Sequence, residues 1–146
     1  MVKVAVVISH PIQHFCPQFE SWSQKKGWEL KVFFASKMGI GAYKDSEFEH
    51  EVQWDISLEF PHEFLNEGRN ITVDTEIDAP EIGRKLTNYD PDVIVIYGYR
   101  KKLQRRALNW GHSNSTSILL VSDSEGRRYR SWYRKVLKRI FLPWYI

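Results

Sequence analysis

Three short apolar runs without helical spacing constrain the fold of this chain more than any other feature. Residues Val2–Ser9, Asp92–Gly98 and Thr116–Ser122 place β-branched and aliphatic side chains at odd and even positions alike. Strands that are buried on both faces of a parallel sheet have this composition. The sequence therefore predicts three strands of a largely parallel sheet that is covered by helices.

The segments between these runs carry apolar side chains at helical spacing. Helices are predicted over Phe15–Lys26, Glu76–Asn88, Leu103–Gly111 and Tyr129–Leu142, and one more strand over Glu29–Ser36. The chain therefore opens with a βαβ unit, which favours a right-handed parallel crossover. One or two short strands are expected between Lys37 and Asn70. This alternation predicts an α/β fold, a Rossmann-like three-layer sandwich with a mostly parallel sheet.

Length and composition indicate one domain of ordinary globular type. The 146 residues are 42% hydrophobic and 27% charged, and we expect a single domain over residues 1–146. The longest apolar run, Val4–Ile8, is far shorter than the ~20 residues that cross a bilayer. Since Cys16 is the one cysteine and forms no intramolecular disulfide, we expect a reducing compartment, the cytoplasm.

The sequence contains no motif for a bound cofactor or metal. The loop after the first strand lacks G-x-G-x-x-G, so neither NAD nor FAD is expected, and no Walker lysine motif occurs. His10 and His14 are a closely spaced histidine pair, which Pro11 interrupts. Because a metal site needs more ligands than this pair supplies, we expect no metal and no cofactor.

Ligands of a doubly wound sheet bind outside the carboxyl ends of its strands, so the loops there are candidate sites. The first loop contains Ser9, His10, Gln13 and His14. Its two imidazoles, together with the N–H groups at the start of the next helix, can bind an anion or sugar hydroxyls. In the structural alternative, Ser9 and His14 cap the helix and Pro11 shapes the turn.

The second candidate loop follows the strand that begins at Asp92. Gly98 lets the backbone turn closely, Tyr97 and Tyr99 are candidates to stack on a ring of the substrate, and Arg100 adds a positive charge. The alternative is a surface turn with solvated charges.

The third candidate loop follows Ser122 and supplies the candidate catalytic residue. Asp123, at the tip of a buried strand, can accept a proton or bind sugar hydroxyls. Ser124 is a further candidate for substrate binding, and Arg127 can neutralise a phosphate. In the structural alternative, Asp123 or Ser124 caps the last helix.

Charge is distributed unevenly along the chain. Residues 1–99 hold nine Lys and Arg against 16 Asp and Glu, whereas residues 100–146 hold 12 against two. The basic last third suits nucleic acid, anionic lipid or a phosphorylated ligand, and charge alone does not choose among them. The predicted helix Tyr129–Leu142 places cations opposite an aromatic stripe. We expect it to pack in the core, with contact to an anionic membrane surface as a second role.

The order of these loops and strands resembles the N-terminal domain of family 4-like glycosyltransferases of the GT-B fold. The segments that carry the resemblance are Lys3–Pro17, Phe33–Ser36 with Tyr43, Asp45 and Phe48, Val52–Ile56, Pro91–Tyr99 and Leu119–Ser124. They span nearly the whole chain. The first loop and the Trp-Asp-Ile segment are fairly specific, whereas the strand patterns alone fit many α/β folds.

The resemblance implies the acceptor-side half of a retaining glycosyltransferase. It implies that Ser9–His14 faces the phosphates of a nucleotide-sugar donor, and that Tyr97–Arg100 and Asp123-Ser124 line the side of a sugar or lipid-linked acceptor. Synthesis of cell-envelope glycan or glycolipid, at the inner face of the membrane, is the implied process. Many members have a glycine-rich first loop and a histidine near the third loop, where this sequence has His10-Pro11 and Asp123.

The donor-binding half of such an enzyme, with its E-x7-E motif, is not found in these 146 residues. One half cannot close over both substrates and exclude water, so we expect no activity from the chain alone. The competing hypothesis is a basic α/β module that binds nucleic acid or another anionic partner. It ranks lower, because the basic residues are explained largely as the outer faces of two helices.

Overall fold

The computed structural model describes residues 1–37, 40, 43–44, 51–52, 56–66 and 78–122. Its elements are β1 (Val2–Ile8), α1 (Cys16–Ser23), β2 (Trp28–Phe34), β3 (Tyr43–Lys44), β4 (Glu51–Val52), β5 (His62–Phe64), α2 (Ile82–Tyr89), β6 (Val93–Tyr97), α3 (Lys102–Ser113) and β7 (Ser117–Val121). The predicted last helix, over Tyr129–Leu142, lies outside the described residues.

Five parallel strands form the main sheet in the order β5-β2-β1-β6-β7. The chain moves outward from β1 to β2 and β5, then crosses back to place β6 on the other side of β1. The strand order therefore reverses between β1 and β6, which is the topological switch point of a doubly wound sheet. The predicted Rossmann-like α/β fold is confirmed.

β1 lies at the centre of the sheet and is buried on both faces. Val4, Val6 and Ile8 pack with α1 on one face, whereas Ala5 and Val7 pack with α2 and α3 on the other. None of these five side chains is more than 3% exposed. Because successive side chains of a strand point to opposite faces, two covered faces require apolar residues at every position.

α1 ends earlier than predicted. Its last residue is Ser23, with Gln24 as the C-cap, and Pro17 lies in its first turn as expected. Gly27, with a φ of +87°, then turns the chain into β2. The carbonyl oxygen of Gly27 accepts a hydrogen bond of 2.8 Å from the N–H of Val2. This contact fixes the turn at the amino edge of the sheet, so the helix must end before it.

α2 begins later than predicted, at Ile82. The side-chain amide of Asn66 donates to the carbonyl oxygen of Asp78 over 2.8 Å, which holds this segment against the loop after β5. Pro80 disfavours a helical conformation at Ala79, the residue before it. The helix therefore starts only after the proline.

α3 continues past Gly111, which was predicted to end it. A Cβ at this position would lie 2.9 Å from Cδ1 of Ile118 and 3.2 Å from Cδ1 of Ile94. Glycine at this position leaves room for the close approach of the helix to the sheet, and it does not end the helix.

Three short strands, and not the expected one or two, lie between Lys37 and Asn70 among the residues that the structure describes. β3 and β4 form an antiparallel pair, and β5 joins the main sheet in parallel with β2, from Val32 opposite His62 to Phe34 opposite Phe64. A three-residue strand is too short to show a period, so the sequence did not predict its place at the sheet edge.

Candidate functional site

The carboxyl ends of β1 and β6 bring two of the predicted loops to one edge of the sheet. We call the segments Ser9–Phe15 and Tyr97–Lys101 together the switch-point edge. Strand pairing continues just beyond the strands, since the N–H of Ser36 donates to the carbonyl oxygen of Ser9 over 2.9 Å. At the end of β6, the N–H of Gly98 donates to the carbonyl oxygen of Val121 over 2.7 Å. Backbone pairing within the sheet therefore fixes Ser9 and Gly98, where the chain leaves β1 and β6.

The β1–α1 loop closes through its backbone. The N–H groups of Phe15 and Cys16 donate to the carbonyl oxygen of Ile12 over 2.9 and 3.1 Å. Phe15 is the N-cap residue of α1, and no side chain forms a capping hydrogen bond there. The alternative in which Ser9 and His14 cap this helix is therefore wrong.

The four candidate residues of this loop differ in burial. Ser9 and His10 are half-buried at its base, where the Ser9 hydroxyl lies 3.0 Å from Nδ1 of His10. Gln13 and His14 are exposed at its rim. The His14 ring lies 4.1 Å, centroid to centroid, from that of Phe15. Hydroxyl, imidazole and amide groups are suited to hydrogen-bond sugar hydroxyls or phosphate oxygens.

Aromatic rings join the two loops across the switch point. The Tyr97 ring at the end of β6 lies 4.7 Å from Phe15 and 5.5 Å from Phe19, centroid to centroid. The Tyr97 hydroxyl donates to Oε1 of Gln18 over 3.1 Å. Burial raises the pKa of Tyr97, so the phenol remains a neutral donor. The start of α1 and the end of β6 thus form one packed unit.

Tyr97 is a positioning residue in this arrangement, because the residue is only 8% exposed and its ring packs in the core. A ring in this place is not available to stack on a ligand. Tyr99 is half-buried against the opposite side of the sheet, and Arg100 is exposed. Between them, Gly98 has a φ of +83°, in the left-handed region that favours glycine.

Gln104 holds the Tyr97–Lys101 turn from the first turn of α3. This side chain is 3% exposed, and its Nε2 donates to the carbonyl oxygen of Tyr97 over 3.1 Å. Within the described part of the chain, its Oε1 is buried and has no hydrogen-bond partner. Gln104 is not among the residues predicted from the sequence. The available signal is its position on the apolar stripe of α3, with Leu103, Ala107 and Leu108.

Gln18, the partner of Tyr97, was also not predicted. It is an exposed polar residue on a helix, and such residues carry no distinguishing signal in one sequence. The third candidate loop, with Asp123, Ser124 and Arg127, lies outside the described residues. In the sequence it begins directly after Ser122.

A separate cavity of about 480 Å³ lies beside the edge strand β5. It is lined by His62, Glu63, Phe64, Leu65, Glu81, Arg84 and Lys85, none of which is a predicted site residue. Glu63 forms ion pairs with Lys31, at 2.7 Å, and with Lys85. Burial acts to raise the pKa of Glu63, but hydrogen bonds from the two lysines outweigh it and lower the pKa below its ordinary value.

Within the described ranges, no group of three or more His, Cys, Asp or Glu is placed to hold a metal ion. No helix in the same part of the chain has the length and apolar character needed to cross a membrane. Cys16 is buried at the start of α1, and this burial raises the pKa of its thiol. The thiol is therefore held in its protonated, weakly reactive form.

No protein-family model matches the sequence, and no curated protein matches it. Among solved structures, the chain is similar to a co-structure of S. aureus MnaA with UDP, at 16% sequence identity and a TM-score of 0.48. The match covers 92% of this chain and 32% of that chain.

Proposed function

We propose that this chain is the acceptor-binding half of a retaining glycosyltransferase that uses a nucleotide-sugar donor in glycan or glycolipid synthesis. The supporting observation is the packing of Phe15 against Tyr97, with ring centroids 4.7 Å apart across the switch point. This contact brings together the two described loops that carry the sequence resemblance. The edge they form is where doubly wound sheets bind ligands.

The two sides of the switch-point edge offer different chemistry. On the β1 side, Ser9, His10, Gln13 and His14 provide hydroxyl, imidazole and amide groups, which suit donor phosphates and sugar hydroxyls. On the β6 side, the backbone turn at Gly98 leads to the exposed Arg100. We assign this second side to the acceptor, and we expect the acceptor's sugar hydroxyls to reach the exposed Gln13 and His14 as well.

In the proposed reaction, an acceptor hydroxyl oxygen forms a bond to the anomeric carbon of the donor sugar on the same face that the leaving group occupies, so the configuration at this carbon is retained. The bond from that carbon to the phosphate oxygen breaks, and the nucleoside diphosphate leaves with the electron pair. We assign to Asp123 the proton released by the acceptor hydroxyl, since a carboxylate that follows a strand end can act as a base. The second Rossmann-like half of the enzyme would supply most of the contacts to the nucleotide, so turnover requires it.

We place the protein in the cytoplasm, at the inner face of the membrane. The sequence pattern of Tyr129–Leu142, with cations opposite an aromatic stripe, supports peripheral contact with anionic lipid.

The experiment that tests this function compares two exposed histidines in a titration of the full chain with a panel of neutral saccharides. His14 lies at the switch-point edge, whereas His112 lies in the last turn of α3, at the opposite edge of the sheet. His14→Ala should weaken saccharide binding by about threefold to tenfold, the effect of one hydrogen bond. His112→Ala should leave it unchanged. Equal effects of the two variants, or no saccharide binding at all, would exclude the proposal.

A further inference from the structure

The two outermost strands of the main sheet differ in how they are protected from further pairing. β5 has three residues, follows Pro61, and carries Glu63, which forms ion pairs with Lys31 and Lys85. Short length, a proline and charged side chains are features that keep an outermost strand from pairing with another chain. β7 has five residues, Ser-Ile-Leu-Leu-Val, and pairs with β6 in a continuous register. It has none of these protective features.

The chain around β7 is uncharged as well. Residues 107–122, which comprise the end of α3, its connection to the sheet and β7 with one residue beyond, contain no Asp, Glu, Lys or Arg. A charged partner strand would find no opposite charge along this stretch, and its own charges would lose water without compensation. An uncharged apolar strand meets no such penalty, and β7 is itself a strand of this kind.

One set of backbone groups of β7 faces away from the sheet. The N–H of Gly98 donates to the carbonyl oxygen of Val121, so Val121 directs its backbone groups toward β6. Because this direction alternates along a strand, the backbone groups of Ile118 and Leu120 point to the open side. Among the residues that the structure describes, no strand pairs with β7 on that side. Unpaired N–H and C=O groups in a row are a template for a further strand.

Leu119, at the middle of β7, adds an exposed apolar side chain beside this open side. It shares the α1 face of the sheet with Val121, since alternate side chains of a strand point the same way, and it is 54% exposed. In the described part of the main sheet, the other large apolar residue that is exposed is Val2, at the first position of β1. An unprotected outermost strand with an exposed leucine at its centre indicates a pairing site.

We infer that β7 pairs with the β7 strand of a second copy of this chain, antiparallel and about a two-fold axis at Leu119. In this register Ile118 lies opposite Leu120 of the partner subunit, and these two positions exchange backbone hydrogen bonds. The two Leu119 residues form a non-hydrogen-bonded pair, in which cross-strand side chains are closest. The exposed leucine of each copy is thereby covered by the other.

The composition of the two outermost strands favours this side of the sheet. β5 paired with itself about its central residue would place Glu63 opposite Glu63 of the partner subunit, and like charges in that position are unfavourable. At β7 the cross-strand pairs are Leu with Leu, Ile with Leu and Ser with Val, so no charge opposes the contact. The same patch on both copies is self-complementary, as a two-fold interface requires.

The pairing joins the two copies into one sheet of ten strands, five from each. Because the two copies run antiparallel, their switch-point edges lie at opposite ends of the joined strands, and neither copy covers the other's candidate site. The inference is therefore independent of the proposed function. Contact between two five-residue strands belongs to the small interfaces, below about 1,200 Å², so the association is weak and depends on protein concentration.

Sedimentation velocity of the full chain over a range of concentrations measures this association. Leu119→Lys should weaken the dimer roughly tenfold, because two apolar contacts are lost and two ammonium groups face each other. Val2→Lys is the matched control, since it adds the same charge at another exposed strand position and should have no effect. Both lysines replace exposed residues, so both variants should fold.

A disulfide tests the register. Leu119→Cys places two thiols at a non-hydrogen-bonded pair, where the Cα atoms are about 4.5 Å apart and within reach of a disulfide. Ser117→Cys, at another exposed position of β7, places its two thiols four strand positions apart, about 14 Å, which no disulfide can span. With oxidised glutathione as the oxidant, Leu119→Cys alone should form a covalent dimer. The unsubstituted chain, whose Cys16 is buried, is the control.

Three results would overturn the inference. A chain that sediments as a monomer at every concentration has no such contact, and an unreactive thiol in monomeric Leu119→Cys would then assign the cover of Leu119 to residues 123–146 of the same chain. Equal weakening by Leu119→Lys and Val2→Lys would place the dimer contact on another surface. Equal cross-linking of Leu119→Cys and Ser117→Cys would exclude the antiparallel register about Leu119.

Discussion

The side-chain amide of Gln104 donates to the carbonyl oxygen of Tyr97 over 3.1 Å, and this bond joins the first turn of α3 to the end of β6. The two elements that meet at the switch-point edge are thereby held by a buried side chain. Gln104→Leu should lower the free energy of unfolding by about 1–3 kcal/mol, because the Tyr97 carbonyl loses its side-chain partner. Urea unfolding measures this change. Asn109→Leu, at an exposed position of α3, is the control and should have little effect.

The pH dependence of the stability of a Gln104→Glu variant provides a second test of this hydrogen bond. A carboxyl group at this buried position has a raised pKa, and its protonated form can donate to Tyr97 whereas its charged form cannot. The variant should therefore be less destabilised in acid than at neutral pH, relative to the unsubstituted chain. Equal destabilisation at both pH values would contradict the assigned hydrogen bond.

Gly98 and Gly27 form a matched pair of turns with positive φ. Their φ values are +83° and +87°, and a Cβ fits at both, since its nearest neighbour at Gly98 is Nε2 of Gln104 at 3.8 Å. Alanine at either position should therefore cost about 1–2 kcal/mol, from backbone strain alone. Only Gly98→Ala should also weaken saccharide binding, because only that turn lies at the switch-point edge. Loss of binding in both variants, at temperatures where both are folded, would contradict this placement.

Gly111 tests how closely α3 approaches the sheet. Alanine there gains about 1 kcal/mol of helix propensity, but its Cβ would lie 2.9 Å from Cδ1 of Ile118. Overpacking of this kind costs about 1–3 kcal/mol, so Gly111→Ala should be destabilising. Adding Ile118→Val removes the crowding methyl group and should recover part of the loss. Chemical unfolding of the single and double variants measures both effects, and a stabilised Gly111→Ala variant would contradict the close approach.

Glu63 gives a prediction on acid stability. Its ordinary pKa is 4.5, and in the folded chain the two lysines hold the pKa below that value. The unfolded chain therefore binds this proton more readily than the folded one. The stability that Glu63 contributes is fully present above pH 4.5 and is lost as pH falls through the lowered folded value.

Thermal unfolding at a series of acid pH values measures this contribution. Glu63→Gln should be less stable than the unsubstituted chain at neutral pH, and the difference should shrink in acid. Glu59→Gln, at an exposed position next to β5, is the control. A difference that stays constant with pH would show that the Glu63 charge does not contribute.

The central strands were predictable because both their faces are covered. Val4–Ile8 and Ile94–Tyr97 are buried throughout, and such runs leave few alternatives to a parallel sheet. Helix ends were less predictable, since they depend on distant contacts. α1 ends where Gly27 pairs with Val2, and α3 passes through Gly111 because the sheet requires a small residue there.

The candidate site was likewise predictable only in part. Position in the topology was readable from the sequence, since polar residues follow the ends of β1 and β6. The roles of individual side chains were not readable from the sequence. Tyr97 was predicted to stack on a ligand, yet its ring packs on Phe15 and Phe19. Gln104 fixes the turn from a buried position on α3, where the sequence pattern predicts a core residue. Such roles depend on which face of an element a side chain joins, and tertiary packing decides this.

The most direct test of the account maps saccharide binding onto the backbone by amide NMR of the full chain. The account predicts chemical-shift changes concentrated at the switch-point edge, in Ser9–Phe15 and Tyr97–Lys101, with few changes at the amino edge around Gly27. Changes confined to the cavity beside β5, or to the amino edge, would contradict the claim that this protein binds its sugar substrate where β1 and β6 end.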